Sequence, residues 1–245
     1  MPDILVTDDG PVRIVRMNRP AKKNALTLAM YSAMAQAIED AGSARALVIA
    51  GGADAFCAGN DINDFVHMTK TGALGAPILH FLHALARCET PLVAAVGGVA
   101  VGVGVTMLMH CDYVVAADHA RLSTPFVSLG LVPEAASSMI GPRLMGQARA
   151  FSLLVMGKPL PAADAKAAGL VNAVVQASEV ENAALTAARA IAALPAEGVR
   201  TARRLLRGAP DEIVRRIDEE AELFKQRLQS PEAKAAFKAF FDRSR

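Results

Sequence analysis

Apolar residues change their spacing along the chain, and each spacing predicts an element. Residues 4–7 and Val12–Met17 are short β-rich runs joined through Asp9-Gly10, a dipeptide suited to a tight antiparallel hairpin. Residues 28–41 repeat apolar side chains at helical spacing behind Thr27, a residue that can cap a helix, and stop at Gly42. Ala46–Ala50, Leu92–Val96 and Tyr113–Ala117 are short apolar runs that read as buried strands. Residues 78–88 have a helical period, and an apolar helix follows the glycine-rich turn over residues 103–110. Strands alternating with helices in this order predict an α/β architecture with parallel, buried strands.

After Pro133 the pattern turns helical. Residues 135–145, 147–156 and 162–168 read as helices, residues 170–175 as a last extended piece, and everything from Ser178 onward as helix. Breaks fall at Pro195, at residues 208–210 and at Ser230-Pro231. A soft boundary near Ala193 divides a core, residues 1–193, from a charged amphipathic region, residues 194–245, expected to act as a helical lid, a subunit contact or both.

Composition narrows the class. Hydrophobic residues are 53% of 245, enough for one large core, and a net charge of +2 argues against a nucleic-acid surface. Residues 91–109 are the most apolar stretch, but Gly97, Gly98, Gly102 and Gly104 interrupt it, so it reads as strand, turn and helix rather than a membrane span. Cys57, Cys88 and Cys111 are too few and too scattered for a disulfide framework or a zinc site. Each is expected to pack as a small apolar residue, which fits a reducing, cytoplasmic location; no secretory or peroxisomal signal is read. His67, His80, His83, His110 and His119 lack metal-ligand spacing, and no metal is expected.

Two stretches carry candidate chemistry. In Ala55-Phe56-Cys57-Ala58-Gly59-Asn60-Asp61-Ile62 a strand runs into a small-residue turn and a helix start. Residues 96–106 repeat this arrangement with Gly97, Gly98, Gly102 and Gly104. Small residues let a ligand approach the backbone, and amides near a helix start point outward without partners. Two such turns can aim two N–H groups at one anionic oxygen, although glycine turns after strands are commonly structural. The glycine spacing does not match a dinucleotide fingerprint.

The ordered series Asn18-Arg19-Pro20, Asn24-Ala25-Leu26, Phe56-Cys57-Ala58-Gly59-Asn60-Asp61-Ile62, Pro91-Leu92-Val93-Ala94-Ala95-Val96, Cys111-Asp112, Leu129-Gly130-Leu131-Val132-Pro133 and Ala165-Lys166-Ala167-Ala168-Gly169-Leu170-Val171 resembles the crotonase (enoyl-CoA hydratase/isomerase) superfamily. The resemblance covers nearly the whole chain. It implies an α/β, crotonase-like spiral of ββα units with a helical C-terminal region, assembled as a homotrimer or a hexamer made of two trimers. It also implies an acyl-CoA substrate, with CoA as part of the substrate and no separate cofactor. By the same resemblance the amides of Asn60 and Val103 form an oxyanion hole, where losing one donor typically costs about 10²–10³ in rate. Ala58, Gly59, Asp61 and Ile62 lie where family members hold CoA through the main chain, and Lys22 and Lys23 are candidate phosphate partners or ordinary solvated lysines.

The reaction is read from departures. The hydratase branch uses two glutamates to activate water; Thr106 and Phe126 occupy those positions here, and neither can serve as acid or base. A carboxylate stands instead at Glu134, where members that shift a double bond from position 3 to position 2 carry their base. The segments around residues 59–65 and Thr124-Pro125-Phe126 also resemble Δ3,Δ2-enoyl-CoA isomerases of the peroxisomal type. Leu131, Val132, Ala135, Ala136 and Met139 surround Glu134 in sequence and predict a raised pKa, whereas a helix start behind Pro133 would favour the charged form. The sequence leaves that balance open. An isomerase is the expected function; the alternatives are hydration or another crotonase reaction, and a non-catalytic acyl-CoA-binding member.

Overall fold

The computed structural model describes residues 1–61, 63–65, 68 and 74–243. It opens with β1 (Ile4–Asp9) and β2 (Val12–Met17), paired antiparallel through the predicted hairpin. The helix α1 (Leu28–Glu39) follows, capped by the Thr27 hydroxyl, which accepts from the Met30 amide at 3.2 Å. It buries Met30, Tyr31, Met34 and Ile38 against the core.

A unit then recurs in which a strand in one sheet is followed by a strand in a second sheet. The pairs are β3 (Ala46–Ala50) with β4 (Ala55–Cys57), β5 (Leu92–Val96) with β6 (Val99–Val101), and β7 (Tyr113–Ala117) with β8 (Arg121–Ser123). The helix α2 (Ala76–Arg87) separates the first two pairs and the short α3 (Val103–Thr106) follows the second. β3, β5 and β7 are parallel neighbours in a sheet ordered β1-β2-β3-β5-β7-β10; β4, β6 and β8 lie together in a second sheet. The chain therefore winds as a spiral of ββα units, the predicted fold. Successive corners stack closely. A side chain on Gly98 would bring its Cβ within 2.1 Å of the Asp54 carbonyl oxygen, so only glycine fits.

The remaining elements are α4 (Ser137–Met145), α5 (Gln147–Leu154), β9 (Leu160–Pro161), α6 (Ala162–Ala167), β10 (Ala173–Val175), α7 (Val180–Ala193), α8 (Ala196–Arg207), α9 (Pro210–Leu228) and α10 (Pro231–Arg243). Ile213, Ile217, Phe224, Leu228 and Phe237 from the last two helices join the same core as the strands. Phe65 meets Phe224 edge-on with centroids 6.3 Å apart and Phe237 at 5.0 Å, which docks α9 and α10 on the spiral. Among the described residues no helix is long and apolar enough to cross a membrane.

Three details differ from the sequence expectation. Residues 99–101 form a strand inside what reads as a turn, because three residues paired with β4 carry no legible period. The helix expected over residues 103–110 is an α-helical turn followed by a 3₁₀ turn, Met107–His110. The helix expected from residue 135 begins at Ser137, since Ala135 and Ala136 adopt left-handed φ values of 60° and 57°. Glu134 therefore stands before the helix, in a sharp turn, and not in its first turn.

Candidate active site

The two turns singled out in the sequence lie side by side because β4 pairs with β6. A Cβ on Gly59 would lie 3.2 Å from the Val101 carbonyl oxygen, so the first turn rests on the strand leading to the second. In each turn the outgoing residue follows a glycine of positive φ, Gly59 at 92° before Asn60 and Gly102 at 55° before Val103. Around Asn60 the flanking groups are taken: the Leu26 amide donates to the Gly59 carbonyl and the Asp61 amide to the Leu26 carbonyl, both at 2.8 Å. This parallel bridge turns the Asn60 N–H to the opposite side. Val103 is the first residue of its helix, where the amide has no partner within the helix.

Asn60 is anchored by a residue the sequence reading missed. The Tyr31 hydroxyl donates to Asn60 Oδ1 at 2.7 Å. Burial, with the Glu134 charge adding to it, pushes the Tyr31 phenol well above its ordinary value, so it stays a donor. Its only signal in sequence was a place on the buried face of α1.

Glu134, Ala135 and Asn60 line one cavity with Tyr31, Leu74 and Ile78, and α9 closes it with Ile217, Ala221 and Phe224. The cavity holds about 380 Å³ counting its open mouth, and its walls other than Asn60, Glu134 and the Tyr31 hydroxyl are apolar. Glu134 as a residue is half-buried, but its carboxyl group is packed round by protein, and this burial pushes its pKa up to about 8. The Thr106 hydroxyl donates to Glu134 Oε1 and opposes the rise, while the Glu220 charge adds to it. Desolvation outweighs the Thr106 bond, and Glu134 stands before the helix rather than in its first turn.

That turn is braced from several directions. The Ser137 amide donates to the Glu134 carbonyl at 3.1 Å, and His110 Nε2 bonds the Ala135 carbonyl at 2.8 Å. Burial lowers the His110 pKa to about 4, so the ring is neutral and Nε2 carries the donated proton. His110, set aside in the sequence for want of ligand spacing, is a clamp on the turn. Two left-handed alanines cost roughly 1–2 kcal/mol each, so such bracing is needed.

The remaining predicted residues divide. Ala58 and Gly59 sit in the first turn; the Ala58 amide is taken by the Lys23 carbonyl at 2.9 Å. The Asp61 amide donates to the Leu26 carbonyl at 2.8 Å and its carbonyl accepts from the Phe65 amide at 2.9 Å, which leaves that carbonyl one further lone pair. Its carboxylate pairs with Arg19 at 2.7 Å; burial alone would raise its pKa, but the Arg19 bond and charge and the Asn63 amide outweigh this and lower it. Lys22 and Lys23 are exposed on a turn held by Asn24, whose amide donates to the Ala55 and Phe56 carbonyls at 3.1 Å. Val103 is buried beside Thr106 and is not among the cavity-lining residues. Ile62 and His67 lie outside the described residues. Cys57, Cys88 and Cys111 are free thiols; burial pushes Cys57 and Cys111 up to about 12, as inert packing residues. Among the described residues no cluster of His, Cys, Asp or Glu could hold a metal. A larger cleft, about 1590 Å³ counted the same way with its open mouth, lies between the end of α1, α2 and the start of α8, and none of the predicted site residues line it.

A spiral α/β fold that sets a desolvated carboxylate and the outward-turned Asn60 amide beside an apolar cavity can support proton chemistry next to a carbonyl. The chain belongs to the enoyl-CoA hydratase/isomerase (crotonase) family, whose model matches residues 8–245. It is 38% identical over 224 residues to enoyl-CoA delta isomerase 2 of Rattus norvegicus, covering 89% of this chain and 57% of that relative. The match therefore spans little more than half of the rat protein. A probable enoyl-CoA hydratase of Mycobacterium tuberculosis is 35% identical over 82% of this chain and 79% of its own length. Among solved structures, Pseudomonas aeruginosa OdaA superposes with a TM-score of 0.92 at 42% identity, covering 98% of this chain and 99% of its own. An enoyl-CoA hydratase/isomerase from Pseudoalteromonas atlantica gives 0.93 at 38% identity, covering 99% and 98%.

Proposed function

We propose that this protein is a Δ3,Δ2-enoyl-CoA isomerase with Glu134 as its single acid–base group. The observation that carries the reading is a carboxyl group with a pKa of about 8 facing the apolar cavity shared with Asn60. Such a pKa lies near the operating pH, where a group can both take and return a proton. The ionised Glu134 takes a C2 proton from a 3-enoyl-CoA, and the electrons of the C–H bond pass into the thioester carbonyl. The resulting dienolate oxygen accepts from the amides of Asn60 and Val103. Glu134 then gives the proton to C4, leaving a double bond between C2 and C3 and an ionised base. Atoms and electrons balance within the substrate, so the scheme requires no metal or redox cofactor. Lys22, exposed beside the first turn, is placed in this scheme as a partner for CoA phosphates, with Ala58 and Gly59 against the thioester arm.

The test is Glu134→Gln, assayed with 3-enoyl-CoA by formation of the 2-enoyl absorbance. Isomerisation should fall by at least about 10³-fold while acyl-CoA binding, measured by calorimetry, persists. Activity that survives in the variant sinks the assignment.

The hydratase relative at 35% identity favours hydration as a second reading. It is tested by adding 2-enoyl-CoA to the wild-type protein and analysing the products: hydration yields a 3-hydroxyacyl-CoA, whereas isomerisation alone yields only the 3-enoyl and 2-enoyl thioesters at equilibrium. The assembly expected from the family, a homotrimer or hexamer, is supported by Phe151 and Val155, exposed one helical turn apart, and by the neighbouring exposed Met156. Light scattering should return a mass of three or six chains, and a monomer would overturn it.

A further inference from the structure

The start of α4 lacks a local cap. Its N-cap residue is Ala136, whose side chain has nothing to offer the exposed amides, and whose backbone is left-handed. The missing acceptor comes from 82 residues away: the Ser138 amide donates to Glu220 Oε1 at 3.1 Å and the Ser138 hydroxyl donates to the same oxygen. Glu220 is 5% exposed, and a carboxylate is not buried so deeply without a use for it. Oε2 meets no donor at hydrogen-bond geometry, though the Ala136 amide still acts on the carboxylate. Glu220 shares a face of α9 with Ile217, Ala221 and Phe224, the three residues by which that helix closes the cavity over Glu134.

We propose that Glu220 is a positioning residue for the reaction assigned to Glu134: as a remote cap on α4 it holds the Glu134–Ser137 turn against the cavity and ties that turn to the closing helix. This rests on the isomerase reading given above. The groups facing Glu220 are Arg216 on its own helix, Ser138 and the Ala136 amide from α4 and the turn, and the Glu134 carboxyl. Those facing Glu134 are Thr106 from α3, Tyr31 from α1, Cys57 from β4 and Glu220 from α9. The Glu220 carboxylate on α9 repels the Glu134 carboxylate in the turn, so Glu220 also disfavours the charged form of Glu134.

Glu220→Gln keeps the volume and one acceptor for Ser138, but replaces the other carboxylate oxygen with an NH2 group and removes the charge that acts on the Ala136 amide. In this variant kcat should fall about 10- to 100-fold with KM within about threefold, as for a misaimed base. The titration of the Glu134 carboxyl, followed by infrared difference spectroscopy and assigned with Glu134→Gln, should move to lower pH. Either quantity remaining at its wild-type value overturns the proposal, as does an equal loss through KM alone. Glu220→Ala should lower kcat further; if it fails to fold, the Gln variant decides by itself. The infrared titration needs no turnover, so it reads the Glu220–Glu134 coupling even if the wild-type protein proves to catalyse another reaction, and the two failures are told apart.

Discussion

At Glu134 the proposed function and stability pull in opposite directions. Its pKa rises from 4.5 to about 8 on folding, so between those values the folded chain binds more protons than the unfolded one. Stability therefore falls as pH rises through that window, and Glu134→Gln should be progressively more stable than wild type from pH 4.5 upward, seen as a widening gap in Tm. Thr106 acts with the opposite sign. Its hydroxyl stabilises the ionised base, so Thr106→Val should move the acidic limb of kcat/KM to higher pH and lower the rate near neutrality about tenfold. A limb that stays in place would mean the hydroxyl does not face the working carboxylate. Thr106, one of the two positions that mark this chain as unlike a hydratase in sequence, is thus the one whose hydroxyl meets the Glu134 carboxyl.

Among the elements, the segment between Pro133 and α4 concentrates strain and bracing. Replacing Ala136 by glycine removes a left-handed Cβ penalty of roughly 1–2 kcal/mol but adds an unfolded-state entropy cost of about 0.5–1 kcal/mol. The net should be a small gain, roughly 0.5–1 kcal/mol, or about 2–4 °C in Tm per kcal/mol for a chain of this size. A lower Tm would show that the φ of 57° is not strained in place. Neither the strain nor its supports could be read locally. Helical spacing over residues 135–145 looked uninterrupted, and alanine is the best of helix formers. The bracing includes distant contacts, from His110 to the Ala135 carbonyl and from Glu220 to the Ser138 amide, through bonds spanning 25 and 82 residues.

For the whole molecule, the spiral depends on corners that admit no side chain. Gly98→Ala would force a Cβ to 2.1 Å from the Asp54 backbone oxygen, an atom that cannot swing away. The expected cost is roughly 3 kcal/mol, read as a loss of midpoint in denaturant with an unchanged slope. An unchanged midpoint would mean that the two corners are not in contact. By carrying β3, β5 and β7 in one sheet and β4, β6 and β8 in the other, these corners set the two candidate amide turns beside each other.

The α/β class with parallel, buried strands was legible in the apolar runs alternating with helices, whereas the spiral of ββα units was implied only by the family resemblance, since three-residue strands such as β6 carry no legible period. The family resemblance, the glycines before Asn60 and Val103, and the carboxylate at Glu134 were legible too, because each lies in a contiguous motif. What sequence could not give is the environment of those groups. The Glu134 pKa is set by desolvation and by Thr106 and Glu220, the orientation of Asn60 by Tyr31, and the backbone bonds of Asp61 by Leu26 and Phe65. A residue type and its spacing are properties of the chain. The dielectric around a carboxyl, and the partner of a given amide, are decided by segments that meet only in the fold.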